Sequence, residues 1–152
     1  MHNHVLESTA DWFQAAVPEP TDKNISTQMG VHFEEVTEML ASIEFSDDEK
    51  AQALLCHARM SLMHLAEYTK NNDVSIDIDP TEMLDSLADQ LVTGVGVAHM
   101  LRMDIVGALN EVNLSNFSKF VDGMPQFDAN RKIIKGPDYF KPNLELFLFK
   151  EF

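Results

Sequence analysis

Residues 81–96, TEMLDSLADQLVTGVG, carry the clearest periodicity in the chain. Leu84, Leu87, Ala88, Leu91, Val92 and Val95 follow one another at steps of three, one, three, one and three, which is the 3.6-residue stripe of an amphipathic α-helix. Asp79-Pro80 stands just before it and supplies an N-cap and an N1 residue. Gly94 and Gly96 come late in the pattern, where close helix packing and a kink are both open.

The flanking segments repeat the helical pattern. Val5 to Val17 places Leu6, Trp12, Phe13 and Val17 in a short helix that Pro18 and Pro20 end. A polar stretch, 21–27, leads to a helix over about Thr27 to Glu44. Its apolar face is Met29, Val31, Phe33, Val36, Met39, Leu40 and Ile43. Ser46 with Asp47, Asp48 and Glu49 predicts a capping box opening a third helix. That helix runs to about Lys70, with Leu54, Leu55, Ala58, Leu62 and Leu65 facing inward. NNDVSIDID (71–79) reads as a loop. A last helix fits Met103 to about Asn116, followed by Gly123, Pro125, Gly136, Pro137 and Pro142. The expectation is therefore all-α: a single domain over 1–152, built as a bundle of four to five helices. An irregular C-terminal arm over about 117–152 ends in the apolar LELFLF (144–149).

Composition narrows the function. With 11 basic and 25 acidic residues, the formal net charge is -14. Such a surface repels nucleic-acid backbones and anionic membranes. The one cysteine, Cys56, excludes an intramolecular disulfide and reads as a buried, inert thiol within AQALLCHARM. No signal-like opening and no membrane-length apolar run is present, so a cytoplasmic protein is expected.

Two acidic sets at helical spacing carry the chemistry. Glu34, Glu35 and Glu38 lie in HFEEVTEML, and Glu82, Asp85 and Asp89 lie in TEMLDSLADQL. Like charges three or four residues apart repel on a helix face. Acidic helix faces are as a rule solvated, but both of these adjoin apolar stripes, where a cation lowers the cost of desolvation. An all-oxygen donor set favours Mg²⁺, with Mn²⁺ as substitute. A di-iron centre of the ferritin type wants Glu-x-x-His, and no Glu here has His three residues on. His57 and His64 share a face without acidic company and read as ordinary helix histidines.

These residues resemble the all-α nucleoside triphosphate pyrophosphatases, a superfamily that includes MazG-like proteins, phosphoribosyl-ATP pyrophosphatases and dimeric dUTPases. The family pattern is ExxE followed later by ExxD. Glu35-x-x-Glu38 matches the first motif. Glu82-x-x-Asp85 matches the second literally, while DSLADQLVTGVG also resembles the DALAD-type segment of phage MazG-like proteins. In that preferred alignment Asp85 and Asp89 hold the metal, and Glu82 is peripheral. EVNLSNFSKF (111–120) resembles the subgroup's EVHRSNMSKF, and KGPDYFKPNL (135–144) its KGPNYFPPDL. The likeness spans roughly residues 28–144. Asn113-Leu114 departs from the subgroup's His-Arg, which removes a cation.

The resemblance implies a Mg²⁺-dependent hydrolase, a nucleoside triphosphate diphosphatase that converts a (d)NTP to (d)NMP and pyrophosphate. Glu35, Glu38, Asp85 and Asp89 would hold metal, and Glu34 would ligate or activate water. Asn113, Asn116, Lys119, Lys135 and Tyr139 are the candidate substrate contacts, with Arg131, Lys132 and Lys141 adding positive charge. Attack at the α or the β phosphorus is left open. A MazZ-like branch makes dGTP or GTP the leading substrate, in phage nucleotide-pool shaping. A dUTPase, a broad house-cleaning pyrophosphatase and a non-catalytic nucleotide-binding regulator are the alternatives. Family members assemble as homodimers or homotetramers, and the LELFLF segment suits either such an interface or the chain's own core.

Overall fold

A computed structural model describes residues 4–72, 74–128 and 133–149. The expected class is found: all-α, with five α-helices among the described residues and an irregular C-terminal arm. The helices are α1 (Val5–Ala16), α2 (Asp22–Ala41), α3 (Glu49–Asn71), α4 (Pro80–Met100) and α5 (Ile105–Phe117), and a short 3₁₀ turn spans Leu144–Phe147. No single helix among the described residues is long and apolar enough to cross a membrane. The chain divides into two compact units: Glu19–Ile78, and Met1–Pro18 with Asp79–Phe152.

The first unit is the hairpin of α2 and α3. α2 begins five residues before the expected Thr27. Thr21 caps it, its hydroxyl accepting from the Asn24 amide while the Asn24 side chain accepts from the Thr21 N–H. This is a capping box with Asn in the usual Glu or Gln position. α3 starts at Glu49 rather than after Ser46, because Asp48 Oδ1 accepts from Ala51 N at 2.9 Å. At the other end of the hairpin Lys23 Nζ donates to the carbonyls of Lys70 and Asn72, both at 2.9 Å. A cation there meets the negative end of α3.

Small residues, not the expected large apolar ones, form the hairpin seam. Ser26, Gly30 and Thr37 of α2 and Ala66 and Thr69 of α3 are buried. Met39, Ile43, Leu54 and Leu65 are exposed, correcting the inward faces read from the sequence. A Cβ on Gly30 would stand 2.5 Å from Thr69 Oγ1 and 2.8 Å from the Ala66 carbonyl oxygen, so the backbones meet where the side chains vanish. Cys56 is also exposed, with Gln52 Nε2 3.7 Å from its sulfur, rather than buried as expected.

The second unit is built around α5. Asp79 caps α4 through Thr81 N and Glu82 N, with Pro80 in the first turn, as its sequence predicts. α4 ends in a Schellman arrangement: Met103 N donates to Ala98 O and Arg102 N to His99 O, with Arg102 left-handed at φ 59°. α1 is tied to α5 by Asn113, and Trp12 stacks on Phe120 with ring centroids 6.0 Å apart. The arm opens with an Asp122-Gly123 turn, both residues at positive φ, and a Val121–Met124 bridge, the two-residue hairpin signature. It returns to α5 at its end, where Asp104 N donates to Phe147 O at 2.8 Å. Of LELFLF, Phe147 therefore docks on its own unit, its ring against Gly107, while Leu146 and Phe149 stay exposed.

Candidate functional site

In the hairpin unit, Gly30, Glu34, Thr37 and Ala41 follow one another at steps of four, three and four along α2. Arg59, Met63, Ala66 and Lys70 do the same along α3. Apart from Gly30, these residues together with Glu38 and Glu67 line a groove of about 280 Å³ over the seam. Glu34 Oε1 and Lys70 Nζ are 2.7 Å apart across it. The Glu34 side chain is 45% exposed, so this pair contributes little stability, less than about 1 kcal/mol. Its effect is local: it fixes one carboxylate and one ammonium at the groove's end.

Glu34 and Glu38 thus lie on the groove, whereas Glu35 is exposed outside its lining. Arg59, Glu67 and Lys70 are groove residues that the sequence reading did not select. Their steps of eight and three along α3 put them on one helix face. Nothing in the sequence said that this face meets α2.

Asp85 and Asp89 belong to the other unit, one turn apart on exposed positions of α4. Glu82 sits in that helix's first turn, where a carboxylate faces the positive helix end. Among the described residues no three His, Cys, Asp or Glu side chains gather closely enough to hold a metal ion. A hard cation does not require three. Mg²⁺ keeps several waters and uses one or two carboxylates with phosphate oxygens. Glu34 with Glu38, Glu35 with Glu38, and Asp85 with Asp89 each offer such a pair at helical spacing, so the donor chemistry fits Mg²⁺.

The two C-terminal stretches singled out above, 111–120 and 135–144, are bonded to each other. Ser115 Oγ donates to Phe140 O at 2.8 Å, and Phe140 N donates to Ser118 Oγ at 3.2 Å. Asn143 N donates to Glu111 Oε1, and Gly136 N to Lys119 O, both at 3.1 Å. Gly136 fits because a Cβ there would stand 3.0 Å from the Lys119 carbonyl oxygen. The arm is anchored by the backbone of Phe140, whose ring is exposed.

This joint presents Lys119 and Lys135. Lys119 Nζ is 2.7 Å from Asn116 Oδ1 and 5.9 Å from the Trp12 ring centroid. Lys135 Nζ lies 4.4 Å from the centroid of the half-buried Tyr139 ring, a cation–π contact. Asn113 has another task. It is 2% exposed, accepts from Thr9 Oγ1 at 2.9 Å and donates to Val5 O at 2.9 Å. It joins α1 to α5 and presents no free amide to a ligand. Trp12 Nε1 is buried without a hydrogen-bond partner among the described residues. Arg131 and Lys132 lie outside the described residues.

Compared with known proteins, the chain matches no family model, no curated protein and no solved structure.

Proposed function

We propose that the protein is a Mg²⁺-dependent nucleoside triphosphate pyrophosphatase that releases a monophosphate and pyrophosphate. The observation that carries this reading is the α2–α3 groove, where Glu34 and Glu38 stand beside Arg59 and Lys70. Carboxylates for a divalent ion and cations for phosphate oxygens within one groove suit a polyphosphate better than a neutral ligand. The two stretches that carry the family resemblance, 111–120 and 135–144, are bonded to each other in one joint.

By the resemblance each acidic pair would hold an ion of its own, Glu35 with Glu38 on α2 and Asp85 with Asp89 on α4. Bound Mg²⁺ neutralises phosphate charge and makes a water molecule a better nucleophile. The protein's own groups do the rest. Glu34, paired with Lys70 at 2.7 Å, would join the ligand set or accept the proton of the attacking water. By the resemblance Lys119 and Lys135 would stabilise charge that develops on the phosphates. Asn116 orients the Lys119 ammonium, and Tyr139 that of Lys135. Asn113 maintains the α1–α5 joint rather than touching substrate. The leading substrate remains dGTP or GTP, by resemblance alone.

The test is incubation of the purified protein with Mg²⁺ and each common dNTP and NTP, with products separated by ion exchange. Conversion of dGTP and GTP to monophosphate and pyrophosphate is expected, and selective dUTP cleavage would move the assignment to the dUTPase branch. Glu38→Gln is expected to abolish turnover while leaving the circular dichroism unchanged; activity within about twofold of the parent would sink the α2 assignment. No turnover of any nucleotide, with Mg²⁺ or Mn²⁺, would make the non-catalytic reading the better one.

A further inference from the structure

The groove over the α2–α3 seam does not end at Arg59. Arg59 and Ala41 also wall a second cavity, of about 310 Å³, at the connector end of the hairpin. Each cavity is close to the lower limit, roughly 300 Å³, of sites that take small molecules, and the two together fall inside that range. Every residue lining them belongs to the Glu19–Ile78 unit.

The two cavities differ in chemistry. Toward Lys70 the lining is ionic, with Glu34, Glu38 and Glu67 beside the two cations. On the other side of Arg59 no further cation follows. Leu40, Ile43 and Leu55 supply an aliphatic wall there, and Glu44, Gln52 and Cys56 a polar edge. Arg59 stands at the join and makes no ion pair among the described residues, so its guanidinium keeps its donors for an anion. Arg59 and Lys70 are about three turns apart on α3, roughly 16 Å of axial rise. A ligand that fills both cavities is elongated, anionic at one end and flat and weakly polar at the other. A nucleoside triphosphate has that form, and a bare polyphosphate does not.

The polar edge is oriented. Gln52 Oε1 accepts from Phe45 N at 2.9 Å, and Gln52 Nε2 lies 3.7 Å from Cys56 Sγ. The bond to the connector backbone fixes which end of the amide is which. Sulfur is a weak acceptor, so the amide still has an N–H to give. Glu44, once ionised, carries only acceptors. A donor and a carboxylate on one edge complement a base that shows a carbonyl oxygen next to a ring N–H. The keto bases, guanine and uracil, have that edge. Adenine and cytosine show an amine next to an unprotonated ring nitrogen, which sets donor against donor and acceptor against acceptor.

We propose that the connector end of the hairpin, between Leu40–Glu44 and Gln52–Cys56, is a base pocket, in which Gln52 and Glu44 select keto over amino bases and Arg59 meets the phosphate nearest the sugar. Placing the phosphates in the ionic cavity rests on the pyrophosphatase reading, whereas occupancy of the base pocket can be read without turnover.

The chain's one cysteine lies in this pocket, so alkylation reports its occupancy. The full chain is treated with iodoacetamide and Mg²⁺, alone or with GMP, UMP, AMP or inorganic tripolyphosphate, and Cys56 labelling is followed by mass spectrometry. GMP and UMP are expected to slow labelling at least about fivefold, while AMP and tripolyphosphate at the same concentration leave it within about twofold. Gln52→Glu keeps an oxygen for Phe45 N and loses the donor. It is expected to abolish protection by GMP with unchanged helicity, and to raise KM for GTP at least about tenfold with kcat within about threefold of the parent. Protection by tripolyphosphate equal to that by GMP overturns the proposal, because phosphate would then fill the pocket. A thiol that does not react in the free chain also overturns it, since the pocket would be closed. Nucleotide hydrolysis without protection overturns the base pocket and leaves the pyrophosphatase reading standing. Protection by GMP and UMP without turnover of any nucleotide upholds the pocket and removes that reading. Protection of Gln52→Glu equal to that of the parent overturns the selecting role of the amide.

Discussion

Ser26, Thr37 and Thr69 direct their hydroxyls back to carbonyls of their own helices, while Ser115, Ser118 and Glu111 direct their oxygens to the C-terminal arm. The α2–α3 hairpin and the α5–arm joint thus use similar small polar residues for opposite purposes. In the hairpin the hydroxyl is satisfied locally, so the side chain acts as a small filler that lets two backbones approach. In the joint the same groups carry the tertiary contact. The hairpin should therefore respond to added volume and tolerate lost hydroxyls, and the joint should lack that tolerance.

The largest expected effect tests volume. Gly30→Ala adds one methyl where Thr69 Oγ1, Lys70 Cγ and the Ala66 carbonyl oxygen all lie within 2.8 Å. The carbonyl belongs to a helix backbone and cannot turn aside. The cost should be about 2–3 kcal/mol, read from urea unfolding of the full chain. A loss below about 0.5 kcal/mol would mean that the two helices do not meet at this seam.

A matched pair of hydroxyl deletions should give a smaller but sharper contrast. Ser115 is 3% exposed and donates to the Phe140 carbonyl. Ser115→Ala removes a long-range bond and should cost about 1–2 kcal/mol, with faster amide exchange near Phe140. Thr37→Val keeps the shape and deletes a bond that runs only to Phe33 of the same helix. It should change stability by less than about 0.5 kcal/mol. Equal effects at the two sites would remove the distinction between filler and fastener.

The same distinction explains what the sequence could disclose. α4 was legible from Asp79-Pro80 and its stripe because cap and periodicity agree there. The start of α2 was not, because Thr21 and Asn24 make a capping box within a polar run that also reads as loop. For α3, Ser46 and Asp48 compete as caps, and only geometry chooses Asp48. Apolar size does not mark the inward faces of the hairpin, where Met39, Ile43, Leu54 and Leu65 are exposed. Helices that approach most closely do so over Gly, Ala, Ser and Thr, and hydropathy ranks those residues low. The two α2 carboxylates of the candidate groove, Glu34 and Glu38, were visible from spacing alone. Arg59, Glu67 and Lys70 were not, since their relevance depends on which face of α3 meets α2.

The smallest expected effect has the opposite sign to the first. Gly96 lies inside α4 with nothing within 4 Å of an added Cβ. It also sits off the Leu84–Val95 apolar stripe. Gly96→Ala exchanges a poor helix former for the best one and narrows the unfolded ensemble, which should add about 0.5–1 kcal/mol. Thermal unfolding of the two alanine variants side by side makes the point: one methyl group destabilises the chain at Gly30 and stabilises it at Gly96. Destabilisation at both would show that α4 is closely covered on the flank that carries Gly96. The sign at Gly96 therefore reports whether anything packs against this flank of α4.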